Sequence, residues 1–308
     1  GNSDDAFDPV LDQTVSVTTT DNDSAGFSIV ESSGSTSVVE SGTTDTFAVV
    51  LTSQPLTDVV LTVVSGDADE ATVDVSTLTF TASNWDTSQT VTVTGVDDPT
   101  VDGSQITTIT VSVDDGNSDD AFDPVLDQTV SVTTTDNDSA GFSIVESSGS
   151  TSVVESGTTD TFAVVLTSQP LTDVVLTVVS GDSGEATVDV STLTFTASNW
   201  DTSQTVTVTG VDDPTVDGSQ ATTLTVSVDD GNSDDAFDPV LDQTVSVTTT
   251  DNDSAGFSIV ESSGSTSVVE SGTTDTFAVV LTSQPLTDVV LTVASGDSGE
   301  ATVDVSTL

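Results

Sequence analysis

Apolar and hydroxyl residues alternate through most of this chain. In the stretch Thr90-Val91-Thr92-Val93-Thr94 threonine and valine alternate, and the same period of two runs through 107–113 and 128–134. Such a period sends valines to one face and threonines to the other, as in a strand with one buried and one wet face. It predicts strands over 26–30, 44–53, 58–64, 77–81, 89–96, 107–113 and 128–134. Asx, Gly and Pro punctuate them at Gln54-Pro55, Ser65-Gly66-Asp67, Asp98-Pro99, Asp102-Gly103 and Asp115-Gly116-Asn117, residues that favour turns. No segment carries a helical period. The expected fold is all-β, with seven strands forming an immunoglobulin-like sandwich.

That set of strands recurs. The string Gly-Asn-Ser-Asp-Asp-Ala-Phe-Asp-Pro-Val begins at Gly1, Gly116 and Gly231, a period of 115 residues. Residues 1–115 and 116–230 differ at four positions, Ala68/Ser183, Asp69/Gly184, Ile106/Ala221 and Ile109/Leu224. A period this long holds a whole domain rather than one supersecondary unit of a solenoid. Tandem seven-stranded sandwiches arranged as beads on a string are therefore expected. The joint falls at Asp-Asn-Asp, residues 21–23, 136–138 and 251–253. On that division 1–23 is the C-terminal part of a preceding repeat, 24–138 and 139–253 are complete repeats, and 254–308 is the N-terminal half of a following one.

Charge changes the picture more than any other property. The chain has 52 Asp and Glu and no Lys, Arg or His. No side-chain cation is available, so clustered carboxylates need a counter-ion from solution. Nucleic acid and anionic membrane surfaces, which need basic patches, are excluded as partners. Disorder is the alternative reading of an acidic, aromatic-poor sequence, but Val and Thr alternate through many segments and 34% of the residues are hydrophobic, which argues for a packed core. Cysteine is absent, so no disulfide staples the domains, and no apolar run long enough to insert in a membrane is present. Without Lys or Arg the chain also offers trypsin-like proteases no site, which suits an extracellular location.

Tracing the strands up and down brings Glu40, Asp67, Asp97, Asp98, Asp102, Asp136 and Asp138 to one pole of a repeat. The next repeat places Glu155, Asp182, Asp212, Asp213, Asp217, Asp251 and Asp253 there, and Asp21 and Asp23 close the preceding one. An oxygen-only anionic set suits Ca²⁺, which takes six to eight such ligands; Mg²⁺ keeps its waters, and Zn²⁺ prefers Cys and His. The opposite pole carries a second acidic loop, with Asp229, Asp230, Asp234, Asp235 and Asp238 in the second complete repeat. Two expectations stand for it: an ion-bridging surface facing the joint at 136–138, or a hairpin loop with Phe122 as a plug.

Val-Val-Glu-Ser-Gly at 38–42, Leu-Thr-Phe-Thr-Ala-Ser-Asn-Trp at 78–85, Val-Thr-Val-Thr-Gly-Val-Asp-Asp at 91–98 and Asp-Asn-Asp followed by Ala-Gly-Phe together resemble the Calx-β domain. They are closer still to the Calx-β-like repeats, immunoglobulin- and cadherin-like in fold, of large bacterial surface and adhesin-type proteins. The resemblance spans the 115-residue unit and implies calcium at Glu40, Asp97, Asp98, Asp102, Asp136 and Asp138, and at Glu155, Asp212, Asp213, Asp217, Asp251 and Asp253. Asp67 and Asp182 match less closely. The repeats depart from the family pattern in having Asn137 inside the closing triplet and Pro99 after the acidic pair.

Catalysis finds no support in the residue types, since His, Cys, Lys and Tyr are absent. Trp85 and Trp200 read as core caps and the threonine rows as the wet face of a sheet. The expected function is a calcium-rigidified structural or adhesive region of a secreted or cell-surface protein, an adhesin stalk or a filament subunit. Its partners would be neighbouring repeats and, in a fibre, identical chains. A calcium-sensing module acting on a partner domain and a carbohydrate-binding module are the alternatives.

Overall fold

The computed structural model describes Leu11 and residues 13–308. The start of the 1–23 segment, including Gly1, and Asp12 lie outside the described residues. The chain forms two compact units. One holds the described residues up to Asp98 together with Ser104–Asn137, and the other holds Pro99–Gly103 together with Asp138–Leu308.

In the first unit nine strands build two sheets. The elements are β1 (Phe27–Glu31), β2 (Thr36–Val39), β3 (Thr44–Leu51), β4 (Val59–Ser65), β5 (Ala71–Val73), β6 (Thr77–Phe80), β7 (Gln89–Gly95), β8 (Gln105–Val113) and β9 (Gln128–Thr135). One sheet has the order β1-β3-β7-β5 and the other β2-β9-β8-β4-β6. Every pairing is antiparallel except β2 on β9, where Thr36 to Val39 run parallel with Val132 to Thr135. The seven expected strands are all present, but the count is nine. Thr36–Val39 and Ala71–Val73 are too short to show a period, and they become strands only because β9 and β7 lie beside them.

The alternation is realised as a core. Phe47 and Val49 of β3 and Val91 and Val93 of β7 pack in one cluster with Leu61 and Val63 of β4, Ile109 and Val111 of β8 and Val130 and Val132 of β9. The intervening Thr90, Thr92 and Thr94 stay exposed or half-exposed. Trp85 packs against the edge of this cluster, as Trp200 does in the second unit.

The second unit repeats the plan from β10 (Phe142–Glu146) through β11 (Thr151–Val154), β12 (Thr159–Leu166), β13 (Val174–Ser180), β14 (Ala186–Val188), β15 (Thr192–Phe195), β16 (Gln204–Gly210), β17 (Gln220–Val228) and β18 (Gln243–Thr250). Its sheets are β10-β12-β16-β14 and β11-β18-β17-β13-β15. After these come β19 (Phe257–Glu261) and β20 (Phe277–Leu281), an antiparallel pair whose apolar residues are largely exposed. Among the described residues no helix is long and apolar enough to cross a membrane.

The acidic loop of residues 114–124 is fastened to its own sandwich. Phe122 is 2% exposed and plugs the core, while both oxygens of Asp119 are spent on main-chain donors. Oδ2 accepts from Leu56 N at 2.7 Å and Thr57 N at 3.0 Å, and Oδ1 accepts from Ala121 N at 3.0 Å. These bonds hold the Asp119 carboxyl below its usual range, the one from Thr57 contributing most. Asp234 and Phe237 reproduce the arrangement in the second unit, with Thr172 N donating to Asp234 at 2.8 Å and Phe237 fully buried.

Asp160 is a second carboxylate used as a staple. It accepts from Ser147 Oγ at 2.7 Å and from Ser152 N at 2.9 Å, joining the end of β10 and the start of β11 to β12. The Ser152 bond, then the Ser147 bond, lower its pKa. A lowered folded pKa means that Asp160 stabilises the fold above the unfolded carboxylate pKa, and that this stabilisation is lost as pH falls through the folded value. Asp160→Asn is expected to cost about 1 kcal/mol at neutral pH. The gap between variant and parent should close in acid, as unfolding midpoints at pH 7 and pH 3 would show.

Candidate metal centre

The acidic pole is clearest in the second unit. β11 ends at Val154, and Glu155 follows in a tight turn completed by Gly157, whose φ is +84°. Gly210 closes β16 directly beneath, where a Cβ would lie 2.3 Å from the Val154 carbonyl oxygen. Only glycine lets β16 approach so closely. That approach sets Glu155 beside the loop carrying Asp212, Asp213 and Asp217. β18 ends at Thr250, which accepts from Glu155 N at 3.1 Å and delivers Asp251 and Asp253 to the same place.

Two groups of three carboxylates result. Oxygens of Glu155, Asp251 and Asp253 lie within 4.8 Å of one another, and so do oxygens of Glu185, Asp213 and Asp217. Glu155 is 1% exposed. Burial, and then the charges of Asp251, Asp213 and Asp217, push its carboxyl above the usual range against the pull of a hydrogen bond from Asn252 N. Glu185 is raised too, first by burial and then by Asp217, Glu155, Asp213 and Asp182. Each group therefore feels the other.

Hydrogen bonds satisfy only part of this charge. Asp251 takes Gly218 N at 2.8 Å, Asp217 N at 3.1 Å and Asp253 N at 2.6 Å, which hold its carboxyl low. Asn252 bridges the pole, giving its N–H to Glu155 at 3.2 Å and its side-chain amide to Asp212 at 2.9 Å. The buried Glu185 Oε2 and Asp217 Oδ1 have no hydrogen-bond donor. A buried carboxylate oxygen without a donor is costly, and no side-chain cation exists to meet it. Oxygen-only, anionic and close-set, the residues fit a hard cation such as Ca²⁺.

Asp182 and Asp212 stand outside both groups. Asp182 is exposed and its Oδ1 accepts from Gly184 N at 2.9 Å, closing its own turn. Asp212 is exposed and bonded to Asn252. Glu185 was not among the expected ligands. Its signal is an acid directly before the short β14, legible only once β14 is known to lie against β16.

The first unit holds Glu40, Asp67, Asp97, Asp98 and Asp136 of the corresponding set. Glu40 is 1% exposed, its carboxylate oxygen lies within 4.8 Å of one from Asp136, and it accepts from Asn137 N at 3.4 Å. The Asn137 side chain donates to Asp97 at 3.1 Å. Asp67 is exposed and accepts from Asp69 N at 3.1 Å. Asp98 is half-buried, as is Glu70, the counterpart of Glu185. In the second unit, half-buried Asp102 belongs to the 99–103 segment, and Asp138 accepts from Ser168 Oγ at 3.3 Å. Asp21 and Asp23 are exposed, linked by a bond from Asp23 N to Asp21 Oδ1 at 3.0 Å.

No protein-family profile and no curated protein matches the sequence. Among solved structures, CBD12 from CALX1.2 is 12% identical with a TM-score of 0.30, covering 71% of this chain and 99% of that one. Domains 4 and 5 of the S-layer protein SbsC are 17% identical with a TM-score of 0.30, covering 74% and 100%. SSP-19, an MSP-domain protein like family member in Caenorhabditis elegans, is 16% identical with a TM-score of 0.25, covering 35% and 99%. Likenesses this distant do not bear on what the chain binds.

Proposed function

We propose that this chain is a run of structural repeats whose acidic poles bind calcium, forming a stalk or filament segment of a secreted or cell-surface protein. The observation that supports it most is the pair of carboxylate groups in the second unit, with donorless buried oxygens on Glu185 and Asp217. Glu155, Asp251 and Asp253 would hold one ion, and Glu185, Asp213 and Asp217 another. Bound calcium supplies the positive charge that no side chain provides. Asn252 acts beside the ions as a cross-link, and Asp212 and Asp182 shape the surrounding turns.

Near-identity between repeats favours a mechanical part over a set of diversified recognition sites. Its partners are then the neighbouring repeats and, in a fibre, identical chains. Small-angle scattering of the full chain tests this. Titration from EDTA into millimolar calcium should give a more extended and more rigid particle, whereas a scattering profile indifferent to calcium contradicts the structural role of the ion.

A further inference from the structure

We infer that the ion-binding loop is also the clasp between successive repeats: the main chain of Pro214–Val216 grips Gln284, after β20 of the repeat that follows, and the Val216 side chain sits in a hollow lined by that repeat. The inference rests on the calcium reading only for its ion dependence. Within the 211–219 loop, Asp213 and Asp217 flank a three-residue stretch that pairs with a distant one. Gln284 N donates to Pro214 O at 2.7 Å and Val216 N donates to Gln284 O at 3.0 Å, a parallel bridge centred on Thr215 and Gln284. Val216 is half-buried and lines an apolar cavity of about 430 Å³ with Ala255, Phe257, Leu281 and Pro285.

The pattern occurs twice in the second unit. Gln169 N donates to Pro99 O at 2.7 Å, Val101 N donates to Gln169 O at 2.9 Å, and Val101 packs against the core cluster that contains Phe142 and Leu166. A hydroxyl adds a second tie beside each bridge. Ser283 Oγ donates to Asp253 Oδ1 at 2.9 Å and to Ser254 O at 3.2 Å, and Ser168 Oγ donates to Ser139 O at 3.0 Å.

The carboxylates that would hold an ion also shape the clasp. Asp213 Oδ1 accepts from Thr215 N at 2.6 Å, and Asp251 Oδ2 accepts from Asp217 N and Gly218 N on the far side of the same stretch. Without a cation the mutual repulsion of Glu185, Asp213 and Asp217 acts on this loop directly. Ion loss should therefore release the stretch from Gln284. The partner surface is the main chain of Gln284 beside an apolar hollow; for the Pro99–Val101 bridge it is likewise the main chain of Gln169, and not the acidic loop of 229–238. Asp234 of that loop is already bonded within its own sandwich.

Residue-resolved amide exchange on the full chain tests the clasp. In calcium the amides of Gln169 and Gln284 should exchange slowly. Val216→Ser should speed exchange at Gln284 by about tenfold or more while leaving Gln169 slow in the same molecule, which shows that the variant is folded. Val216→Ile should restore protection. Unchanged exchange at Gln284 in Val216→Ser overturns the clasp even if calcium still binds. Slow exchange that Val216→Ser abolishes, but that is the same in EDTA and in calcium, upholds the clasp and refutes its dependence on the ion.

Discussion

Chelating calcium is expected to cost each complete repeat about 3–5 kcal/mol of unfolding free energy. A ligand at a hundred times its dissociation constant stabilises a folded state by about 2.7 kcal/mol per site, and the acidic pole of the second unit offers two carboxylate groups. The size follows from what the chain lacks. Glu155, Glu185, Asp213, Asp217, Asp251 and Asp253 converge with no cationic side chain, so without an ion their repulsion falls on the folded state alone. For a domain of this length the loss corresponds to a fall in melting temperature of roughly 10 °C or more. Thermal unfolding in EDTA, in millimolar magnesium and in millimolar calcium is the check. Equal midpoints in all three would mean that the pole is merely solvated.

Glu155→Gln is expected to reverse its effect with the ion. Glu155 is buried and its carboxyl is raised by desolvation and by its acidic neighbours. A raised folded pKa means that the ionised form is disfavoured in the fold, so stability is lost as pH rises through the folded value. In EDTA at neutral pH the neutral amide should leave the fold more stable than the parent, since it removes a buried charge and keeps the acceptor for Asn252 N. In calcium the same change removes a ligand, and affinity should fall by at least the roughly 10- to 100-fold that loss of an outer-shell partner costs. Unfolding midpoints of parent and variant in both conditions would reveal the crossing. A variant less stable than the parent in EDTA as well would show that Glu155 serves the fold through packing and hydrogen bonding, independently of any ion.

The alternation of valine and threonine made the long strands legible, because one buried face is all that a sandwich requires of a strand. It was silent on β2 and β5. Thr36–Val39 is a strand by its parallel contact with β9, some hundred residues away in sequence, and the three residues of β5 carry no period. The acids at strand ends were legible for the same reason as the strands, since each follows or precedes a run whose direction is known. Glu70 and Glu185 were not, because their position depends on β5 and β14. Asn137 and Asn252 looked like gaps in an acidic triplet. The fold gives them donors' work, spanning from Glu40 to Asp97 and from Glu155 to Asp212, which no acid could do. The acidic loop at the other pole illustrates the opposite case. Its sequence left an ion-bridging surface and a hairpin loop plugged by Phe122 both open; Asp119 and Asp234 turn inward to main-chain N–H groups, and Phe122 and Phe237 anchor the loop.

Calorimetric titration of the metal-free full chain with calcium, repeated in excess magnesium, addresses the central claim most directly. Saturable uptake that survives magnesium, scales with the number of complete repeats and weakens in Glu155→Gln is the predicted result. Weak, unsaturated uptake that magnesium or simple salt abolishes would reduce the carboxylates to a screened counter-ion cloud and contradict it.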